Sequence, residues 1–310
     1  MSYQVLARKW RPRNFSEMVG QEHVQRTLIN ALDNNQLHHA FLFTGTRGVG
    51  KTTIARILAK SLNCEKGVTS QPCGECSACR AINEGHFVDL IEVDAASKTK
   101  VEDTRELLEN VQYTPSQGRY KVYLIDEVHM LSKHSFNALL KTLEEPAPNN
   151  LLILTADQAG NILPTIISRC QIIPYGPRDY EDMAQVLMRE NGIERAQALT
   201  LASVAEGSLG RATLLLQEDL LVFRQEVIEQ LLLLQNGQPE TIAQVFRLSE
   251  KAAALKENIY EFLALLRLWY RDLVLVAAGA PESSAANKDL ASFWPTAEKR
   301  WDLPQLYERL

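Results

Sequence analysis

Ala40–Asn63 reads AFLFTGTRGVGKTTIARILAKSLN, and the order of its parts decides the fold. The short apolar run Ala40–Phe43 predicts a buried strand. It gives way to Gly45-Thr46-Arg47-Gly48-Val49-Gly50-Lys51-Thr52, which fits G-x-x-x-x-G-K-[ST] throughout. Ile54, Ala55, Leu58 and Leu62 follow at three-four spacing, so a helix with one buried face is expected over Lys51–Leu62. A glycine-rich loop between a strand and a helix curls its backbone N–H groups around a phosphate, with the helix's positive end behind them. Lys51 is placed to reach the β- and γ-phosphates and Thr52 to ligate Mg²⁺; with Thr53 beside them, residues 45–53 are the candidate nucleotide cradle. The plain alternative, a glycine turn before an ordinary helix, is disfavoured by having both flanks right.

A second stretch complements the first. KVYLIDEVHM, Lys121–Met130, is an apolar strand ending in Asp126-Glu127. Asp126 at the tip can hold Mg²⁺ through water, and Glu127 can polarise an attacking water. An acidic pair at a strand end is common alone; beside a complete cradle it indicates nucleoside triphosphate hydrolysis.

Outward from these motifs, short apolar strands alternate with amphipathic helices through about residue 175, which predicts an α/β domain with a parallel sheet. The strands are expected at Ala40–Phe43, Phe87–Val93, Lys121–Ile125, Leu151–Thr155 and Gln171–Pro174, with a further helix over Ser132–Glu145. After YGPRDY the strands stop. Three short helices are expected at Tyr180–Glu190, Ala196–Glu206 and Arg211–Asp219, and longer ones beyond Leu220, the clearest over Asn258–Ala278. The boundaries fall near 177 and 220. A net charge of −5 argues against a chain coated for nucleic acid but permits a local basic patch. No apolar run approaches the ~20 residues of a membrane span, and the N-terminus lacks a secretory signal, so a cytoplasmic protein with no membrane partner is expected.

Of five cysteines, Cys64, Cys73, Cys76 and Cys79 cluster as C-x8-C-x2-C-x2-C. Four thiolates close a tetrahedral Zn²⁺ sphere, giving a structural site. An iron–sulfur cluster would ordinarily continue C-x3-C-P, which is absent here. A dithiol redox pair and a set of unrelated buried thiols are also compatible with the spacing. The intervening residues are turn-rich and polar, so the expectation is a metal-folded surface module, residues 64–85, separate from the chemistry.

Together these stretches resemble the bacterial DNA polymerase III clamp loader, within the AAA+ ATPases. LARKWRPRNFSEMVGQEHV, HHAFLFTGTRGVGKT, DLIEVDAASKTKVEDTRELLENVQY and VYLIDEVHMLSKHSFNALLKTLEEP carry the likeness to its gamma/tau subunit over residues 1–146, together with the zinc insertion. The resemblance implies a RecA-like ATPase domain over 1–177, a three-helix lid over 178–219 and a helical collar over 220–310. It implies ATP with Mg²⁺ as cofactor, besides Zn²⁺. Its partners would be other subunits in a hetero-oligomeric ring, the sliding clamp and primer-template DNA. Ser168-Arg169-Cys170 matches the family's SRC motif, whose arginine enters the neighbouring subunit's nucleotide site; a surface arginine after a helix is the plain alternative. ARKWRP and VGQEHV match the segments enclosing adenine, with Val19 and Gly20 closest, unless they are plain N-terminal packing. SKTKVEDTRELL matches the DNA-facing region, making Lys98, Lys100 and Arg105 phosphate-contact candidates, although a solvated charged face fits them as well.

After Pro146 the chain resembles the delta-prime subunit more, in ILPTIISRCQ, EGSLGRA and WYRDLVLVAAGAP. Where gamma/tau has two threonines, this chain has Thr155-Ala156, so sensing of the γ-phosphate is either lost or moved to Thr155. The lid arginine expected directly after Gly-Ser-Leu is displaced one place, from Gly210 to Arg211. The closing WDLPQLYERL predicts a short collar or a truncated chain, without the tail of a full tau subunit. Three functions compete: an ATP-hydrolysing clamp-loader subunit, a delta-prime-like stator lending Arg169 to a neighbour, and a different AAA+ remodeller. Intact Lys51, Thr52, Asp126 and Glu127 favour the first; the zinc insertion and the SRC arginine disfavour the third.

Overall fold

The computed structural model describes residues 12–95, 114–233 and 239–300. Lys98, Lys100 and Arg105, residues 7–11 of the adenine-side segment and residues 301–310 lie outside the described residues.

In chain order the first part comprises α1 (Glu22–Asp33), β1 (Ala40–Thr44), α2 (Lys51–Asn63), α3 (Ser77–Glu84), β2 (Leu90–Asp94), β3 (Lys121–Asp126), α4 (Lys133–Glu144), β4 (Asn150–Ala156), α5 (Pro164–Ile167) and β5 (Gln171–Pro174). The strands form one sheet in the order β2-β3-β4-β1-β5. Every pairing is parallel. β4 and β1 are buried along their whole length, as interior strands covered on both faces must be, which is why their sequences are unbroken apolar runs. Successive side chains serve opposite layers. Phe41, Phe43, Val122, Leu151 and Ile153 pack under α1, α2 and α3, whereas Leu42, Tyr123, Ile125, Leu152 and Leu154 pack with Leu139 and Leu143 of α4 and Ile166 of α5.

Two expectations need correcting. The second strand begins at Leu90 rather than Phe87. Residues Phe87–Asp89 instead turn, because the buried Asp89 carboxylate receives the backbone N–H groups of Ser116 (2.8 Å), Gln117 (2.7 Å) and Gly118 (2.7 Å). Burial alone would raise the Asp89 pKa; those three donors outweigh it and hold the carboxyl below its ordinary value. Second, the cysteine segment is more than a polar surface module. It contains α3, whose Ala78 and Ile82, one helical turn apart, are buried in the same core as α2.

The chain divides into two compact units between Arg178 and Asp179. The second is helical among its described residues: α6 (Tyr180–Asn191), α7 (Arg195–Val204), α8 (Leu209–Gln217), α9 (Leu220–Leu233), α10 (Pro239–Ala254), α11 (Ile259–Ala277) and α12 (Trp294–Arg300). The three short helices share one core with Leu265 and Leu268 of α11. Trp269 and Leu273 of that helix face a second cluster, with Ile228, Leu290 and Trp294. A buried polar knot ties this unit together. Asp272 accepts the N–H groups of Ala286 (2.9 Å) and Asn287 (2.8 Å), while Arg224 donates to Asn287 and Asp289.

Candidate nucleotide-binding site

The cradle is held from below by the sheet. The Gly45 N–H donates to the carbonyls of Ala156 (3.1 Å) and Asp157 (3.0 Å) at the end of β4. Gly45 lies at φ +142°, and a Cβ there would stand 2.6 Å from the Tyr175 carbonyl oxygen, so no larger residue fits. Thr46, Arg47 and Gly48 are exposed at the crest, Val49 is buried in the core, and Gly50 caps α2 in a left-handed conformation. Lys51 is buried; its ammonium donates to the carbonyls of Gly45 and Thr46 (3.1 Å for the latter) and stands 4.0 Å from Asp157. Burial lowers the Lys51 pKa, and Asp157, Glu127 and Asp126 oppose that shift. Thr52 and Thr53 are half-buried on the first turn of α2.

The acidic strand end meets the cradle as expected. Thr52 Oγ1 donates to Asp126 Oδ2 at 3.2 Å, so the two Mg²⁺-ligand candidates from separate elements touch. Thr155, fully buried, donates to the other Asp126 oxygen and accepts the Glu127 N–H at 3.2 Å. Thr155 thus joins both acidic residues. Glu127 has φ +54°, a left-handed conformation that is uncommon outside glycine and concentrates at functional sites. Burial raises its pKa; Asp157 and Asp126 add to this, and His129 and Lys51 oppose it. His129 Nε2 is 3.5 Å from Glu127 Oε2, and Glu127, His129 and Asp157 form a compact trio. His129 lies within the KVYLIDEVHM stretch but has no expected role there, and Asp157, outside both motifs, reaches the site through the β3–β4 pairing.

In the loop that the resemblance sets beside adenine, Val19 and Gly20 are half-buried and follow the buried Met18. The Gln21 side chain donates to the Gly176 carbonyl (2.5 Å), and His23 Nε2 lies 2.7 Å from the Pro174 carbonyl, so residues 174–176 are stapled to this loop. Arg169 stands elsewhere. Gln171 begins β5 and pairs with Phe41, so Arg169, in the turn before it, precedes the strand at the end of the sheet away from Gly45. Its guanidinium donates to Glu144 Oε1 and to the Thr165 carbonyl, both at 2.8 Å. Arg211, in the second unit, pairs with Glu206 (3.0 Å) and Glu261 (2.8 Å).

At the other end of α2, the sulfurs of Cys64, Cys73, Cys76 and Cys79 all lie within 4.8 Å of one another. Zn–S bonds of about 2.3 Å in a tetrahedron need sulfurs about 3.8 Å apart, so the set fits zinc. Backbone N–H groups of Cys73, Cys76 and Cys79 each approach the preceding cysteine sulfur at 3.4 Å. Such donors favour thiolate, and those of Glu75 and Cys76 lead the causes that pull Cys73 down to about 6.

A parallel sheet with a complete phosphate loop and an acidic strand tip, followed along the chain by a helical unit, defines a P-loop nucleotide-binding protein with the AAA+ type of fold. The chain belongs to the family described as "DNA polymerase III, delta subunit", whose model matches residues 20–178. It is 58% identical over 214 residues to DNA polymerase III subunit tau of Escherichia coli (strain K12), covering 67% of this chain and 33% of that protein. It is 49% identical over 222 residues to DNA polymerase III subunit gamma of Buchnera aphidicola subsp. Schizaphis graminum, covering 70% of this chain and 61% of that one. The chain therefore spans about a third of the length of the curated tau relatives it matches. The Thermotoga maritima RuvB Holliday junction branch migration motor shares the fold, at 22% identity and a TM-score of 0.50 over 68% of this chain and 66% of that one. No helix among the described residues is long and apolar enough to cross a membrane.

Proposed function

We propose that this chain is an ATP-binding and ATP-hydrolysing subunit of a DNA polymerase III clamp loader, which places a ring-shaped sliding clamp on primed DNA. The observation that carries this reading is the array Thr52–Asp126–Thr155–Glu127: two metal-ligand candidates in contact, with a candidate base held beside them by a buried hydroxyl. In this reading residues 45–53 hold the phosphates and Thr52 and Asp126 hold Mg²⁺, which supplies charge neutralisation to the phosphates. Glu127 accepts a proton from the attacking water, and Val19 and Gly20 border the adenine. Cys64, Cys73, Cys76 and Cys79 hold a structural Zn²⁺.

Residues 178–219 would serve as the lid and 220–310 as the collar, with Arg211 offering its charge to the nucleotide. Arg169 is too far down the sheet to reach its own cradle, which suits a finger presented to a neighbour in a hetero-oligomeric ring. The setting is the cytoplasm, with other loader subunits, the clamp and primer-template DNA as partners.

A non-hydrolysing stator that lends Arg169 is the second reading, favoured by the family description and by Ala156 and Gly210 at the sensing positions. ATP turnover of the pure chain, alone and with partner subunits and primed DNA, separates the two. Turnover abolished by Lys51→Ala in this chain supports the first; assembly-dependent turnover insensitive to Lys51→Ala but lost with Arg169→Ala supports the second.

A further inference from the structure

Residues 174–178, from the last residue of β5 to the end of the first unit, form a wall that no motif marks. Tyr175 presses on Gly45 at the start of the cradle, and Pro174 and Gly176 are stapled to His23 and Gln21. At the end of this wall, Arg178 is 7% exposed. Its side chain spans two glycines: a Cβ on Gly20 would lie 3.6 Å from Arg178 Cγ, and one on Gly50 would lie 3.4 Å from Arg178 Nη2. Met18 Cε stands 3.9 Å from the same Gly50 position. The stem thus starts on the loop assigned to the base, and the guanidinium ends on the residue that caps α2.

That placement sets the Arg178 guanidinium against the N-terminus of α2, the positive end of the helix that begins at Lys51. An anion in the cradle is attracted by the helix N-terminus and by a guanidinium set against it, so the two act on a bound phosphate in the same sense. Lys51 serves the two outer phosphates, and a head group lying between base side and cradle stands nearest the inner one.

We infer that Arg178 is a further nucleotide-binding residue, whose guanidinium contacts the α-phosphate common to ATP and ADP. The inference rests on the nucleotide-binding reading above. Retention of the hydrolysis product then depends on Arg178 as much as retention of the substrate does.

The test measures ATP and ADP affinity by calorimetry for the parent, Arg178→Met and Arg178→Lys, with the unfolding midpoint of each recorded without nucleotide. Arg178→Met is expected to weaken ATP and ADP by the same factor, about tenfold, because it removes one charge-assisted hydrogen bond that both nucleotides share. Arg178→Lys keeps the cation and should recover most of that loss. In ³¹P spectra of bound ADP, the α resonance should differ between the parent and Arg178→Lys while the β resonance holds, a reading available even if Arg178→Met does not fold. Parent-like affinity of Arg178→Met for both nucleotides, a loss confined to ATP, or an unmoved α resonance overturns the inference. A parent that binds neither nucleotide overturns both this and the reading beneath it; a parent that binds them while Arg178→Met binds equally well overturns the Arg178 role alone.

Discussion

The two ends of helix α2 carry two sites built on opposite principles. At Lys51 the site is made from backbone: Gly45 hangs from the carbonyls of Ala156 and Asp157, and Gly50 adopts φ +106° to begin the helix. At Asn63 the site is made from side chains: four cysteine sulfurs, with Arg119 donating to the Cys64 carbonyl and the Tyr120 N–H donating to Asn63 Oδ1 at 2.9 Å. A backbone site is shaped by the sheet beneath it and stands ready before its ligand arrives. A thiolate site gathers mutually repelling charges, so its shape depends on the ion that neutralises them. One helix therefore joins a preorganised end to a ligand-dependent end.

Removing the metal should produce the largest difference between the ends. We expect about one zinc per chain, lost in Cys76→Ser, with a marked fall in unfolding midpoint, since apparent binding energies of structural zinc in small peptides are about 10–16 kcal/mol. ATP affinity of the protein that remains folded should stay within roughly threefold of the parent. Metal analysis that finds iron with sulfide, or no metal, removes the zinc assignment. A collapse of ATP affinity while the fold survives would mean that α2 transmits the loss and the ends are not independent.

At the preorganised end the matching change is Glu127→Gln. Loss of a general base should lower turnover by about 10²–10⁴-fold while ATP still binds. The unfolding midpoint should hold or rise, because burial already disfavours the Glu127 carboxylate. Single-turnover assays and a melt distinguish this from damage: parent-like turnover refutes the assignment, and a large fall in midpoint makes Glu127 structural.

The contrast also explains what can be read from sequence. Glycine spacing is a direct imprint of backbone shape, so the cradle, its strand and its helix are legible almost to the residue, as is the parallel sheet from its unbroken apolar runs. Asp126 and Glu127 are legible because strand tip and motif coincide. Side-chain tertiary contacts leave weaker marks. The cysteine spacing announces four ligands, yet α3 escapes notice because its apolar stripe is short, Ala78, Ala81 and Ile82, within turn-rich flanks. Phe87–Asp89 scans as the start of a strand; only the turn at residues 116–118 reveals why Asp89 ends it. Asp157 and Arg178 owe their positions to strand order and to a wall without a motif, neither of which a linear pattern records.

If α3 belongs to the core, Ile82→Ala must cost more than a surface module would. A buried isoleucine truncated in a packed core loses about 2–5 kcal/mol, whereas an independent zinc loop would leave global stability nearly unmoved. Urea unfolding with zinc content measured in parallel decides. Full zinc occupancy with the stability loss fixes α3 to the α2 core, and a change below about 0.5 kcal/mol restores the module picture.

The smallest effect concerns the turn that fastens the ligand-dependent end of α2 to the sheet. Asp89 gathers the N–H groups of residues 116–118, and Gly118 lies so close to Asn63 that a Cβ would collide with its Oδ1. Asp89→Asn keeps an acceptor but removes the charge, and should cost about 2 kcal/mol at pH 7, within the range for charge-assisted hydrogen bonds. The folded-state pKa of Asp89 is depressed below the ordinary 3.8, so its contribution is fully present above that value. It fades as pH falls below 3.8 through the lower folded value, when the protonated carboxyl no longer attracts three donors. The stability gap between parent and Asp89→Asn, measured by urea unfolding, should therefore be widest at neutral pH and narrow steadily in acid. A gap that persists unchanged well below the folded pKa would assign the effect to shape rather than charge. A parent-like Asp89→Asn at neutral pH would show that the Asn63 end of α2 is held by the metal and the α3 contacts, without help from this turn.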